Sequence, residues 1–354
     1  MSICVENLCK SYGTDFALQN VSFCAETGEI VSIIGPSGSG KSTLLNIIAG
    51  LLDADSGTVY INGTDMASTP TEQRRMGIVL QGAALYPNMN VYQNIAFPLE
   101  MLRIPRRDIP ERVHQIADIL QIGHLLRRKP HQLSGGEQQR VAIARAFVKD
   151  PEIILFDEPF SNLDLRLALE LREELKRLLK TRRTTALFVT HSQDDAISIS
   201  DRIAVVHQGK LLQYGSPRDI YHHPVSTFVA NFVGKYPINR FSGIVRNGTF
   251  SSSTGAFHLS ADELKTVSGE KILMFRPEHV CVIPHSDSEG IQVVITDLFT
   301  DGKEYIITAH AGTDPIRLYA PLELQLSQGQ LISIRINTPH LLIFEPEVLP
   351  CDKN

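Results

Sequence analysis

Hydrophobic and polar positions follow two different patterns along this chain. From Ser2 to about Gly234, short apolar runs alternate with stretches of helical period: EIVSII is followed by KSTLLNIIAGLL, and MGIVL, IILF and ALFVT recur as further strand-like runs. That alternation predicts an α/β domain around a largely parallel sheet. The stretch from Asn88 to about His131 carries helical period without a convincing strand, in IPERVHQIADILQIGHLL, and reads as a helical insertion that extends to about residue 150. From about Leu165 to Arg183, leucines at 167, 171, 175 and 178 predict one apolar stripe against the sheet and a solvated charged face. Near Tyr236 the period shortens. FSGIVRNGTFSSS holds an Asn247-Gly248 hairpin signal, and GIQVVITDL, EYIITAHAG, PIRLYAP and LISIRIN read as successive short strands of a small all-β barrel or sandwich. Two domains are expected, 1–234 and 235–354.

Composition narrows the classes. The 354 residues are 43% hydrophobic and 21% charged, ordinary for a globular chain and against disorder or a fibrous repeat. Lys and Arg total 34 against 39 Asp and Glu, a formal charge of −5, which argues against the nucleic-acid backbone as main partner. The longest apolar stretch, LLNIIAGLL, is about half of the roughly 20 residues a bilayer-spanning helix needs. MSICVENLCK places Glu6 and Asn7 where a secretory signal needs apolar residues. Five scattered cysteines (Cys4, Cys9, Cys24, Cys281, Cys351) without a C-x-x-C pair predict reduced thiols in the cytoplasm, neither a disulfide framework nor a zinc site.

The first chemical signal is GPSGSGKST, Gly35, Pro36, Ser37, Gly38, Ser39, Gly40, Lys41, Ser42 and Thr43. It satisfies G-x-x-x-x-G-K-[ST] between a strand and a helix, the context a phosphate loop requires. Glycines let backbone N–H groups turn toward phosphate oxygens, the helix start favours negative charge, Lys41 reaches the β and γ phosphates, and Ser42 can ligate magnesium. Kinases, GTPases, helicases and transport ATPases all remain open on this loop alone.

LSGGEQQR, Leu133–Arg140, resembles the signature motif of ATP-binding-cassette (ABC) ATPases, and the family's other motifs follow in order across essentially the whole chain. The resemblance implies an α/β P-loop NTPase domain, with helical subdomain, followed by an all-β OB-like (TOBE) domain. It implies an ATPase with ATP and Mg2+ as its nucleotide and metal. Apolar IILF ends in Asp157, matching the Walker B aspartate that holds the magnesium shell, and Glu158, matching the general base. Gln81 matches the Q-loop glutamine, which touches metal and water. His191 matches the switch histidine on the γ phosphate, and Tyr12 the aromatic that stacks on adenine. SNLD, Ser161–Asp164, matches the D-loop at the subunit interface. Ser134, Gly135 and Gly136 would complete the nucleotide site of the opposite subunit, implying a head-to-tail dimer of two copies with each ATP between them.

The tail adds FRPEHV, Phe275–Val280, which resembles the RPEH element of importer ATPases. The junction FVGKYPINRFSG and the terminal HLLIFEPE, His340–Glu347, resemble strings of the carbohydrate-uptake group, with departures at Lys235, Tyr236 and Ile238. A carbohydrate or glycerol-phosphate importer is thus expected, with ferric iron, sulfate or polyamine uptake, or a non-transport cassette, as alternatives. Implied partners are transmembrane permease subunits and, through them, a periplasmic or extracellular substrate-binding protein. The expected place is peripheral, on the cytoplasmic side of the inner membrane, with no nucleic acid bound. His222-His223 lies in the expected joint between domains and is not read as a metal site.

Overall fold

The computed structural model describes residues 2–161, 163–283 and 290–346. The chain forms two compact units, Met1–Ile220 and Tyr221–Asn354. In the first, a six-stranded sheet has the order Lys210–Gly215, Arg202–His207, Ile30–Ile34, Thr185–Thr190, Ile153–Asp157, Met76–Val79. Its pairings are parallel except for the antiparallel edge pair at Lys210–Gly215. The central strands read as continuous apolar runs because both faces are covered. Ile30, Ile154, Phe156, Ala186 and Phe188 face one core with the helices Val91–Met101, Gly135–Phe147 and Leu165–Arg182, while Val31, Ile33, Ile153, Leu155, Leu187 and Val189 face another with the helix Lys41–Ala49. A period of two thus divides each strand between two cores.

That second core also carries a four-stranded antiparallel sheet, Asp15–Ala25, Ile3–Tyr12, Ser56–Ile61 and Thr64–Asp65. Here one sequence expectation fails: Cys4 and Cys24 are joined by a disulfide. Antiparallel register sets Cys4 directly opposite Cys24, with Cα atoms 4.1 Å apart, a proximity that a search for closely spaced cysteines does not see. Cys9 and Cys281 are free, and Cys351 lies outside the described residues.

Among the described residues, no strand occurs between Met76–Val79 and Ile153–Asp157; the helices Val91–Met101, Ile109–Ile119 and Gly135–Phe147 fill the interval. In Leu165–Arg182 the predicted stripe is buried at Leu171, Leu175 and Leu178, and Leu167 is half-buried. The solvated-face reading fails at Arg172, which is buried, ion-paired to Asp195 and 5.8 Å from the centre of the Phe160 ring.

In the second unit, two five-stranded antiparallel sheets enclose a core that includes Phe241, Phe250, Phe257, Phe275, Val293, Ile307, Ile316 and Ile334. The Asn247-Gly248 signal forms the hairpin between Asn239–Arg246 and Thr249–Ser252, with φ of 49° and 76°, the two positive values that a type I′ turn demands. The unit begins before the change of pattern at Tyr236. Arg276, from FRPEHV, is buried, donates to the carbonyls of Tyr221 and Val233, and lies 3.8 Å from the centre of the Tyr221 ring. Ala230 shares a core with Ile238, Ile272 and Met274. These contacts place residues 221–234 with the β-rich unit.

Candidate active site

The strand Ile30–Ile34 is buried along its length and turns through Gly35–Gly40 into the helix Lys41–Ala49. Two glycines are required by close approach. A Cβ at Gly35 would lie 2.0 Å from the Val206 carbonyl oxygen, and one at Gly40, where φ is +100°, would lie 2.1 Å from that of Ala17. Gly40 forms the N-cap without any side-chain bond, so the first N–H groups of the helix keep their free direction. Lys41 Nζ donates to the carbonyls of Gly35 at 2.9 Å and Pro36 at 2.7 Å. Burial pushes the Lys41 ammonium down from its ordinary pKa, while Glu158 and Asp157 act in the opposite direction. Ser39 Oγ is buried without a hydrogen-bond partner.

At the end of the strand Ile153–Asp157, Asp157 is pushed up by burial first and by the neighbouring Glu158 charge second, with Lys41 opposing. Glu158 has φ of 45°, a strained left-handed backbone for a residue with a side chain, and its N–H donates to the Val189 carbonyl at 2.9 Å. Its carboxylate is held from two sides: Gln81 Nε2 donates to Oε2 at 3.2 Å, and His191 Nδ1 lies 2.9 Å from Oε1. Three strand ends, Val79, Asp157 and Thr190, therefore deliver Gln81, Glu158 and His191 to one place. This is the carboxyl edge of a parallel sheet, where open α/β folds bind ligands.

A cleft of about 410 Å³ is lined by Tyr12, Ala17, Ser37, Gly38, Ser39, Gly40, Lys41, Ser42, Thr43, Glu158 and His191. Gly35 and Pro36 join through Lys41, and Gln81 through Glu158. Tyr12 is 56% exposed, and Lys10 Nζ lies 5.9 Å from the centre of its ring. Ser134, Gly135, Gly136 and Asp164 do not line this cleft. Ser134 caps the helix Gly135–Phe147 in a capping box with Glu137, whose carboxyl is held below its usual range by the Ser134 N–H. Asp164 caps Leu165–Arg182 through the Leu167 N–H at 3.0 Å. Asn162 of SNLD and Glu347 of HLLIFEPE lie outside the described residues.

Two contributors escape a reading of the sequence. Ala17 lines the cleft, and its carbonyl makes Gly40 obligatory. Arg74 is buried and donates to the carbonyls of Ile47, Ile48, Met66 and Thr69, closing the C-terminal end of the helix that Lys41 begins. The pair Arg74-Arg75 before MGIVL is the only visible sign of it, and nothing in the string distinguishes it from a surface pair.

Residues 18–161 match the family described as ABC transporter. The chain is 36% identical to the maltose/maltodextrin import ATP-binding protein MalK of Photobacterium profundum, over 99% of this chain and 97% of that one. It is 38% identical to the sn-glycerol-3-phosphate import ATP-binding protein UgpC of Bordetella avium, over 86% and 85%, and 34% identical to the uncharacterized ABC transporter ATP-binding protein YurJ of Bacillus subtilis, over 98% of both. Among solved structures, a dimeric post-hydrolysis state of the ATP-binding cassette MJ0796 with ADP and Pi matches at TM-score 0.56 and 33% identity, covering 61% of this chain and 99% of that one.

Proposed function

Because this chain belongs to the ABC transporter family and is one of its ATPases, we propose that it is the hydrolytic subunit of an importer whose cargo is a carbohydrate or glycerol phosphate. The observation that carries the reading is the meeting of Lys41, Glu158 and His191 around one phosphate-loop cleft. ATP binds with its phosphates on Ser37–Thr43 and Lys41 and its adenine on Tyr12. Glu158 accepts a proton from the attacking water, Gln81 and His191 hold the carboxylate in place, and His191 reaches the γ phosphate. The Ser42 hydroxyl, the Gln81 amide oxygen and the Asp157 carboxylate are hard oxygen donors and fit Mg2+, a metal that takes one or two carboxylates and completes its shell with phosphate and water. Bound there, it would neutralise phosphate charge.

Ser134 and the Gly135-Gly136 backbone stand away from the cleft of their own chain, which supports their use by a second copy in a head-to-tail dimer. None of the described helices is long and apolar enough to cross a membrane. The passage is then built by permease subunits, with this chain peripheral on their cytoplasmic side and a binding protein delivering cargo outside. The MalK and UgpC names support the cargo class. The β-rich unit is the OB-like accessory domain.

Glu158→Gln tests the hydrolytic assignment. ATP binding should persist while turnover falls by on the order of 10²–10⁴. Undiminished hydrolysis would sink it. Reconstitution with the permeases, and stimulation by a binding protein loaded with maltodextrin or with glycerol 3-phosphate, distinguishes the cargoes.

A further inference from the structure

Strained backbone follows Gln81 directly. Gly82, Ala83 and Ala84 have φ of 78°, 62° and 44°, and the Ala84 N–H donates to the Gly82 carbonyl at 2.7 Å. A three-residue turn closed by such a bond, with positive φ at its central residue, is the rare, strained γ form. Two of these positions are alanines, which lack glycine's freedom in this region. Such backbone persists only where its surroundings over-determine it.

The restraint comes from Arg145, on the helix Gly135–Phe147. Its Nη1 donates to the Ala84 carbonyl at 2.9 Å and its Nη2 to that of Ala83 at 3.2 Å. The guanidinium carbon lies 5.2 Å from the centre of the Tyr86 ring. Beyond the turn, buried Asn94 accepts from the Tyr86 N–H at 2.8 Å and donates back to the Tyr86 carbonyl at 3.1 Å. A guanidinium fork that bonds two successive carbonyls fixes their direction as well as their distance, which an ammonium cannot do. At the other end of this helix is the Ser134 cap. Arg145 therefore joins the element proposed to read the partner's nucleotide to the turn that begins at Gln81.

We propose that Arg145 is a positioning residue for Gln81: its fork onto the Ala83 and Ala84 carbonyls makes the Gln81 turn follow the helix that Ser134 caps, so that displacement of that helix moves the Gln81 amide against Glu158. This rests on the reading of Gln81 and Glu158 as hydrolytic groups.

The test is a double-mutant cycle on the full-length chain, measuring ATP turnover for wild type, Arg145→Met, Gln81→Ala and the double variant. Arg145→Met should lower kcat about tenfold with KM for ATP within about twofold, and its effect should shrink below about twofold once Gln81 is already alanine. Arg145→Lys, which keeps the charge and can reach one carbonyl, should melt with the wild type and recover part of the loss. Effects that multiply across the cycle would overturn the inference, as would equal losses in the Lys and Met variants or a Gln81→Ala enzyme with wild-type turnover. Undiminished hydrolysis by Glu158→Gln would instead remove the reading beneath it.

Discussion

At Gly40 the obstacle to substitution is a carbonyl oxygen, that of Ala17, 2.1 Å from where a Cβ would stand, and φ of +100° adds backbone strain. Gly40→Ala should weaken ATP binding by about tenfold or more, measured by titration with a fluorescent nucleotide, because the loop must shift before its N–H groups can meet phosphate. The proposed stacking of adenine on Tyr12 uses the ring and not the hydroxyl, so Tyr12→Ala should raise the nucleotide Kd by about tenfold while Tyr12→Phe stays near wild type, in line with base stacking of about 1–3 kcal/mol. Arg74 is a different case. Its replacement by methionine deprives four carbonyls of their donor, and stability in a urea titration should fall by about 2–3 kcal/mol. Gly40, Lys41 and Glu158 were legible because the phosphate loop and the strand-end acids carry their chemistry in local order. Arg74 and Ala17 were not, since each acts through carbonyl contacts that only the fold brings near.

Strand ends and helix starts do the positioning at the next scale. Parallel pairing of Ile153–Asp157 with both Thr185–Thr190 and Met76–Val79 brings three carboxyl ends level, and the residues after them converge. Their apolar runs are readable as strands, but their order in the sheet is not, because each is a short apolar run and nothing in it names its neighbour. Helix starts show the same division. Ser134 and Asp164 belong to sequence motifs, and in the folded chain each is also an N-cap. Asp164→Ala should therefore cost about 1 kcal/mol of stability by denaturant unfolding, apart from any effect on hydrolysis. The Cys4–Cys24 pairing belongs here too. A separation of 20 residues gave no hint of it, and the antiparallel register of two strands created it.

For the whole molecule, the proposed head-to-tail dimer would share each site between two copies, in keeping with a signature helix that does not line its own cleft. Lys41→Met and Ser134→Arg chains, each inactive alone, should regain about a quarter of wild-type turnover when mixed equally, since half of the random dimers then hold one intact site of two. No recovery on mixing would mean that each chain completes its own site. The alternation of strand and helix, the hairpin at Asn247-Gly248 and the order of the motifs were all determined by sequence alone, because each depends on neighbours a few residues apart: period, turn conformation, and a glycine loop before a helix. Tertiary structure alone decided that Gln81 and His191 grip Glu158, that Arg145 holds the strained turn after Gln81, and that residues 221–234 belong with the β-rich unit through Arg276. Those pairings join residues dozens of positions apart, and a contact between distant residues has no local pattern to announce it; sheet order and register create it.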